Sequence, residues 1–385
     1  MIQLKYCKNC LLPDTKPELS FDEDGICDAC IFAKEKEKIN WNERRKDLAR
    51  IMEKYKSKDG SRYDCIIPVS GGKDSHYQTY VITKEFGLNP LLVSFHPRDL
   101  TETGRKNIEN LKKLGVDYIE FTPNQIVYKK MQKFGLYELG DIAWPEHLGI
   151  FTIPIQVAVA YKIPLLIWGE NPQFEYGGPA SVGASPNLDS EWRKKHGGFF
   201  LDKMAPEEMT KHGIDIAHLK PYHYPSDKEI NQIDVTGIFL GYYLKWDARK
   251  QLEIVKQLGF SLHPDGKSEG TYTDYENLDT KYVALHDYFK WLKFGFGRAT
   301  DHASIDIRNG RLTREEGLKL IKLYEGKIPE CYFEEFLEDF ELTREEFYRI
   351  CDKFTNKQLF KKDDHGNLQR DETGNLEKIS YDNIR

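Results

Sequence analysis

Two groups of residues can do chemistry by type and spacing alone. The first is Ser70-Gly71-Gly72-Lys73-Asp74-Ser75, which follows the apolar run Cys65–Val69 and precedes an amphipathic stretch. Two adjacent glycines let a chain turn sharply and bring its backbone close to an anion. Free N–H groups at the start of the next helix point at that anion, and the macrodipole adds to the attraction. Ser70 and Ser75 contribute hydroxyl donors and Lys73 a positive charge. Asp74 suits such a place if it caps the helix or helps to hold Mg²⁺. The second group is Cys7, Cys10, Cys27 and Cys30, two C-x-x-C pairs separated by sixteen residues. Each pair presents two thiolates from one knuckle, and two knuckles complete a tetrahedron for structural Zn²⁺. A redox pair is the alternative, for which one knuckle would suffice. The other three cysteines, Cys65, Cys331 and Cys351, sit among apolar residues and read as small buried hydrophobes.

Other candidates depend on where the chain puts them. Ser94 and Gly169 stand at the ends of apolar runs, where they can line the same anion site. Glu170 and Asn171 follow Gly169 and can bind substrate or metal, or be ordinary loop polars. Lys293 and Arg298 flank Gly295-Phe296-Gly297 and can reach back to phosphates, since chemistry that releases pyrophosphate needs cations at the developing charge. Asp301 and His302 are adjacent polar residues of catalytic or structural use, and His147 and Tyr176 are weaker candidates of the same kind.

These residues need a scaffold, and the hydrophobic pattern supplies one. Strands are expected at Tyr63–Val69, Pro90–Phe95, Tyr118–Thr122 and Pro164–Trp168. Helices are expected between them, around His76–Phe86, Thr101–Leu114, Asn124–Phe134 and Thr152–Tyr161. Such alternation predicts an α/β fold with a parallel sheet and helices on both faces. Ligands then sit at the carboxyl ends of the strands, where the glycine loop, Ser94 and Gly169-Glu170-Asn171 all fall. The preceding segment Lys36–Ser57 reads as a charged helix. Residues 175–230 are rich in Gly, Pro and Tyr and suit a long loop or lid. Ile230–Leu258 reads as mostly helical, Val283–Phe294 as a helix, and 312–357 as three short helices with a capping box at Thr343 and Glu346. The last twenty or so residues are polar and expected to be mobile, and no internal repeat is apparent. The division expected is a zinc-binding unit with its linking helix at 1–57, a nucleotide-binding domain at 58–225, and a mostly helical region at 226–385 that contributes to the site.

Composition bounds the function. The 385 residues are 39% hydrophobic and 31% charged, as in a folded soluble protein, with a net charge of −6. No broad basic field exists to hold nucleic acid. Neither a signal peptide nor a membrane span is apparent, so the cytoplasm is the expected compartment.

The glycine loop resembles the S-G-G-x-D-S signature of the PP-loop ATP pyrophosphatase superfamily. There the loop binds the pyrophosphate of ATP, and the α-phosphate is transferred as AMP. The stretches Tyr6–Pro17, Phe21–Cys30, Trp168–Pro172 and Gly295–Asp301, in that order around the loop, resemble the N-acetyl sugar amidotransferase family of lipopolysaccharide O-antigen and pseudaminic acid biosynthesis. The resemblance implies ATP, Mg²⁺ and structural Zn²⁺ as cofactors. It also implies adenylation of a sugar acetamido oxygen, followed by displacement of AMP by ammonia to leave an acetamidine. No glutaminase nucleophile is apparent, because Met1 precedes Ile2 and Cys27 belongs to a knuckle. A separate glutaminase subunit is therefore expected to supply ammonia. A tRNA-modifying thiolase of the same superfamily is the alternative reading, disfavoured by the acidic balance and by the lack of a second cysteine cluster. A zinc ribbon joined to a nucleotide sensor is a third.

Overall fold

The computed structural model describes residues 4–96, 98–178 and 204–379. At the N-terminus two helices, α1 (Asp28–Lys36), which is capped by Cys27 and carries Cys30, and α2 (Trp41–Tyr55), follow the first cysteine pair. The central layer is a sheet of five parallel strands: β1 (Cys65–Pro68), β2 (Pro90–Phe95), β3 (Asp117–Phe121), β4 (Leu165–Trp168) and β5 (Thr236–Phe239). Their order across the sheet is β3-β2-β1-β4-β5. The register sets Cys65 opposite Pro90 and Ile66 opposite Leu166, so β1 is paired on both sides.

The period-two alternation of the strands decides what packs where. Ile66, Leu91 and Val93 point to one face, against Tyr128 and Met131 of α5 (Gln125–Phe134) and Leu148 and Ile155 of α6 (Trp144–Tyr161). Cys65, Ile67 and Leu92 point to the other, against Leu48 and Met52 of α2 and Leu111 of α4 (Glu102–Lys112). The helix after the glycine loop, α3 (Lys73–Tyr80), runs on through a π turn at Val81–Glu85 into that second layer. The sequence thus placed four strands and the α/β class correctly. It placed the start of α6 late: this helix begins at Trp144, with Pro145 in its first turn, where proline loses nothing.

The fifth strand is a correction. Ile230–Leu258 does not continue as helix. The helix α8 (Asp227–Ile233), which follows α7 (Pro172–Tyr176), stops at Asp234 in the left-handed region, φ 56°, and β5 begins at Thr236. Four residues are too few to show strand periodicity, and this segment is a strand because β4 offers it a free edge: Thr236 N–H donates to the Pro164 carbonyl at 2.7 Å. Short helices α9 (Leu240–Tyr243) and α10 (Ala248–Gln257) follow.

From residue 283 to 354 the chain is mostly helical: α11 (Val283–Phe294), α12 (Arg298–Arg308), α13 (Arg314–Tyr324), α14 (Phe333–Phe340) and α15 (Arg344–Phe354). Leu285, Phe289 and Leu292 of α11 form a core with Phe336, Phe340 and Phe347. The capping box at Thr343 and Glu346 is present, with a second at Thr313 and Glu316. The polar tail up to residue 379 is not loose. Phe360 and Leu376 are buried. Asp363 accepts from the N–H groups of His365 and Asn367, and Asp371 from those of Thr373 and Asn375. The two turns share the pattern Asp-x-x-Gly-Asn-Leu, a short internal repeat where none was expected.

The cysteine unit packs on this helical region. Leu11 is buried with Ala299, Ala303 and Ile321. Leu11 N–H donates to Ser304 Oγ at 3.3 Å, and Arg314 donates to the carbonyls of Cys10 (3.1 Å) and Cys7 (3.2 Å).

Candidate functional site

The strand order creates the site. From β1 the chain winds outward through β2 to β3, then crosses back to β4 and on to β5. In an open parallel sheet, the reversal opens a crevice at the strand ends, here between β1 and β4. The loop after β1 is Ser70–Gly72 and the loop after β4 begins with Gly169-Glu170, so both border the crevice.

The glycine loop is pinned by its own hydroxyls. Ser70 N–H donates to Ser75 Oγ at 3.0 Å, and Gly72 N–H to Ser70 Oγ at 3.3 Å. Gly71 has φ +94°, and a Cβ there would lie 2.7 Å from Ile108 Cγ1, so this position requires glycine. Gly72 is the N-cap of α3, and no side chain caps the helix. Asp74 therefore does not take the capping role open to it. It receives a hydrogen bond from Lys73 Nζ at 2.6 Å instead.

Lys73 is 3% exposed, and its ammonium also lies 3.5 Å from Glu276 Oε1. Burial works against its charge, but the carboxylates of Asp74 and Glu276 outweigh that and hold its pKa above the ordinary lysine value. Glu170 is in the opposite position. Burial, and then the neighbouring Asp74, push its pKa up to about 8, against the pull of Lys73. Glu276 is raised by burial as well. Three carboxylates thus crowd around one ammonium, an arrangement that invites a further cation.

A cleft has Lys73, Asp74, Glu170, Tyr176, Glu276 and Arg298 in its walls. Arg298 opens α12, and its Nε donates to Asp287 Oδ2 at 3.1 Å. Burial opposes its charge, but Asp287 more than compensates and keeps the guanidinium firmly protonated. The backbone at the start of α12 is already occupied: Glu325 Oε1 accepts from Gly297 N–H (2.9 Å) and Thr300 N–H (2.6 Å). Asp301 pairs with Lys290, and His302 accepts or donates at Thr271 Oγ1 (2.6 Å), with burial pushing its pKa down to about 3.

The other candidates lie around this centre. Gly169 is at the crevice, where a Cβ would come 2.4 Å from Gln78 Nε2. Asn171 is buried, and its carbonyl accepts from Phe174 and Glu175 at the start of α7. Ser94 is buried within β2, away from the cleft walls. Lys293 does not line the cleft either. It lies on α11 against the ring of Phe354, 5.8 Å from its centroid, and within electrostatic reach of Asp141. Of the segment expected to cover the site, residues 179–203 lie outside the described residues. Glu276 was not foreseen from sequence. The only signal was a Thr-, Tyr- and Asp-rich stretch, 271–280, with no periodicity of either kind.

The cysteine centre has metal geometry. Cys7 and Cys30 sulfurs are 3.8 Å apart, and Cys10 and Cys27 sulfurs 3.6 Å. A tetrahedron of thiolates about 2.3 Å from zinc has edges of about 3.8 Å. All four side chains are buried and no disulfide joins them. Cys27 N–H donates to Cys7 Sγ at 3.2 Å and Asn9 Nδ2 to Cys30 Sγ at 3.3 Å, as around metal-bound thiolates. Arg308 links the two centres. Its guanidinium donates to the Glu175 carbonyl on the cleft wall and stands within electrostatic reach of Cys10, Cys30 and Cys27.

Residues 269–372 match a family described as the C-terminal domain of WbpG-like LPS biosynthesis proteins. An uncharacterised protein of Methanocaldococcus jannaschii, MJ1599, is 30% identical over 99 residues, which are 26% of this chain and 35% of that protein. Among solved structures, similarity is found to NMN synthetase from Francisella tularensis (14% identity, 51% of this chain and 93% of that one, TM-score 0.29). It is also found to NH3-dependent NAD synthetase from Campylobacter jejuni (12% identity, 57% and 96%, TM-score 0.28). Among the described residues no helix is long and apolar enough to cross a membrane.

Proposed function

We propose that this protein is an ATP-dependent amidotransferase, a synthetase subunit that converts the acetamido group of an N-acetylated sugar into an acetamidine in the biosynthesis of a surface polysaccharide or nonulosonic acid. The observation that carries the reading is the hydroxyl-pinned glycine loop with buried Lys73, set at the crevice between β1 and β4. The family match at residues 269–372 supports lipopolysaccharide biosynthesis as the setting. The resemblance of the loop and cysteine motifs to the sugar amidotransferases supports the reaction.

In this reading the amide oxygen of the substrate attacks the α-phosphorus of ATP, the bond to pyrophosphate breaks, and the oxygen carries AMP. Ammonia then adds to the activated carbon, AMP leaves with that oxygen, and the two protons lost in the sequence pass to solvent. An amide oxygen is a poor leaving group until it carries AMP, so positioning and charge stabilisation are the enzyme's main tasks. The N–H groups at the start of α3 and the Lys73 ammonium receive the pyrophosphate. Arg298, across the cleft, neutralises charge that develops as it departs. Asp74, Glu170 and Glu276 would hold Mg²⁺, which when bound offsets the charge of the nucleotide. Without that cation three carboxylates would repel a polyanion. Ser70 and Ser75 orient the loop. Gly169 leaves the crevice open, and Glu170 and Asn171 shape the turn that faces the substrate. The four cysteines hold a structural Zn²⁺ that fixes the wall carrying Glu175.

Ammonia comes from a separate glutaminase subunit, and the work is done in the cytoplasm, where ATP and activated sugars are available. The test is mass spectrometry of N-acetylated sugars, free and nucleotide-linked, incubated with enzyme, ATP, Mg²⁺ and ammonium. Exchange of O for NH lowers the product mass by roughly one unit, with AMP formed in equal amount. Formation of ADP and phosphate would overturn the reading.

A further inference from the structure

A second cluster of ligating side chains lies outside the cleft. Asp141 sits in the turn before α6, His147 in the first turns of α6, and His286 on α11. One donor atom from each lies within 4.8 Å of the other two. His286 Nδ1 and Asp141 Oδ1 are 2.7 Å apart, and the two imidazoles meet edge to face with centroids 5.0 Å apart. We propose that Asp141, His147 and His286 form a divalent transition-metal site, distinct from the cysteine centre and from the carboxylates around Lys73.

Three features carry this inference. The first is donor type: two imidazoles and one carboxylate suit a borderline cation such as Zn²⁺, Fe²⁺ or Ni²⁺ better than Mg²⁺. The second is rigidity. Asp141 is buried, and its Oδ1 also accepts Ala143 N–H at 2.9 Å, so the carboxylate is oriented by the backbone whether or not an ion is bound. The third is access. Asp141 is 5% exposed at its side chain, but His286 is 18% exposed and His147 is half-buried. A hydrogen bond between Asp141 and His286 would by itself pin α11 to α6. It gives no reason for a second imidazole to stand over the first at an accessible position.

Ligands about 2.0–2.1 Å from a tetrahedral ion stand about 3.3 Å from one another. The Asp141–His286 pair is inside that spacing, and the 4.8 Å spread closes by small rotations of the imidazoles. Three protein ligands leave a position for water or a substrate oxygen, as in sites that do chemistry rather than hold structure. The surroundings set the affinity. Arg298 and Lys293 bear on the cluster and oppose a cation. Asp287, next in the chain, offsets Arg298: the Arg298 and Asn277 donors both meet its Oδ2, and its buried Oδ1 has no partner among the described residues. The expected binding is therefore weaker and more exchangeable than at the cysteines.

The experiment is Co²⁺ titration of the full chain with zinc already at the cysteines, followed by visible absorption and equilibrium dialysis, with excess Mg²⁺ to occupy the cleft carboxylates and without nucleotide. The expected result is one further equivalent of cobalt with nitrogen- and oxygen-ligand bands and no sulfur-to-metal charge-transfer band. Its affinity should fall at least tenfold in His286→Gln and in His147→Gln, with melting temperatures close to the parent protein to show that both variants fold. It should be unchanged in Asp74→Ala, which removes a carboxylate of the Lys73 cleft. The proposal is overturned if no further cobalt binds, if both histidine variants bind it equally well, or if binding is lost in Asp74→Ala. None of these outcomes depends on the amidotransferase reading, which is tested by product and not by metal.

Discussion

The cysteine centre and the Lys73 cleft both collect negative groups around a place for a cation, but they do so in opposite ways. At the cysteines, two knuckles close together in sequence supply all four sulfurs, and the backbone and Asn9 support them. At the cleft, the charged groups come from α3, the turn after β4, the stretch before α11 and the start of α12. One lysine there answers three carboxylates, and Glu170 is left near pKa 8. The first arrangement is complete and closed, as structural sites are. The second is strained by like charge until ligand arrives, as sites that bind and react are.

The contrast predicts different failures. The largest effect on activity should come from the cleft. Lys73→Ala should lower AMP formation at least about a hundredfold, in line with the loss of one buried electrostatic group at a reacting centre, and it should also lower the melting temperature, because the crowded carboxylates lose the ammonium that answers them. A near-normal rate would place the pyrophosphate elsewhere. The cysteine centre should fail in stability first. Cys27→Ser should release zinc and cost more than about 2 kcal/mol, since such centres supply about 10–16 kcal/mol of apparent metal-binding free energy in isolated zinc units. Zinc analysis and thermal melts check this, and full zinc occupancy in the variant would contradict it.

The crowding of carboxylates at the cleft can be tested through pH. Glu170 has a folded pKa above its unfolded value, so the folded state binds the extra proton between about pH 4.5 and 8. Its contribution to stability is therefore present at low pH and is lost as pH rises through about 8. Glu170→Gln should remove that decline. Mg²⁺ needs the ionised carboxylate, so Mg²⁺–nucleotide affinity should rise from pH 6 to pH 8 in the parent protein and be flatter in the variant. Calorimetric titration at the two pH values decides, and a parent affinity independent of pH would remove Glu170 from the site. The smallest effect is steric. Gly169→Ala places a methyl 2.4 Å from Gln78 Nε2, which must move. A cost of about 1–3 kcal/mol is expected from overpacking, with a modest rise in KM for ATP, measured by melting and steady-state kinetics.

The sequence by itself determined the parts whose chemistry is local. The knuckle spacing of Cys7, Cys10, Cys27 and Cys30, the turn that needs Gly71, four of the five strands, and the Thr343–Glu346 cap all depend on residues a few positions apart. The tertiary structure decided the rest. Thr236–Phe239 became a strand because β4 had an unpaired edge. Glu276 became the second partner of Lys73 because a stretch without periodicity is led past the glycine loop. Arg298 came to the cleft while Lys293 turned toward Asp141, because α11 ends at Gly295 between them. His147 and His286 met because α6 and α11 place them side by side. In each case the energy comes from partners remote in the chain, and one sequence with no contact map carries no trace of which remote groups will share a low-dielectric space.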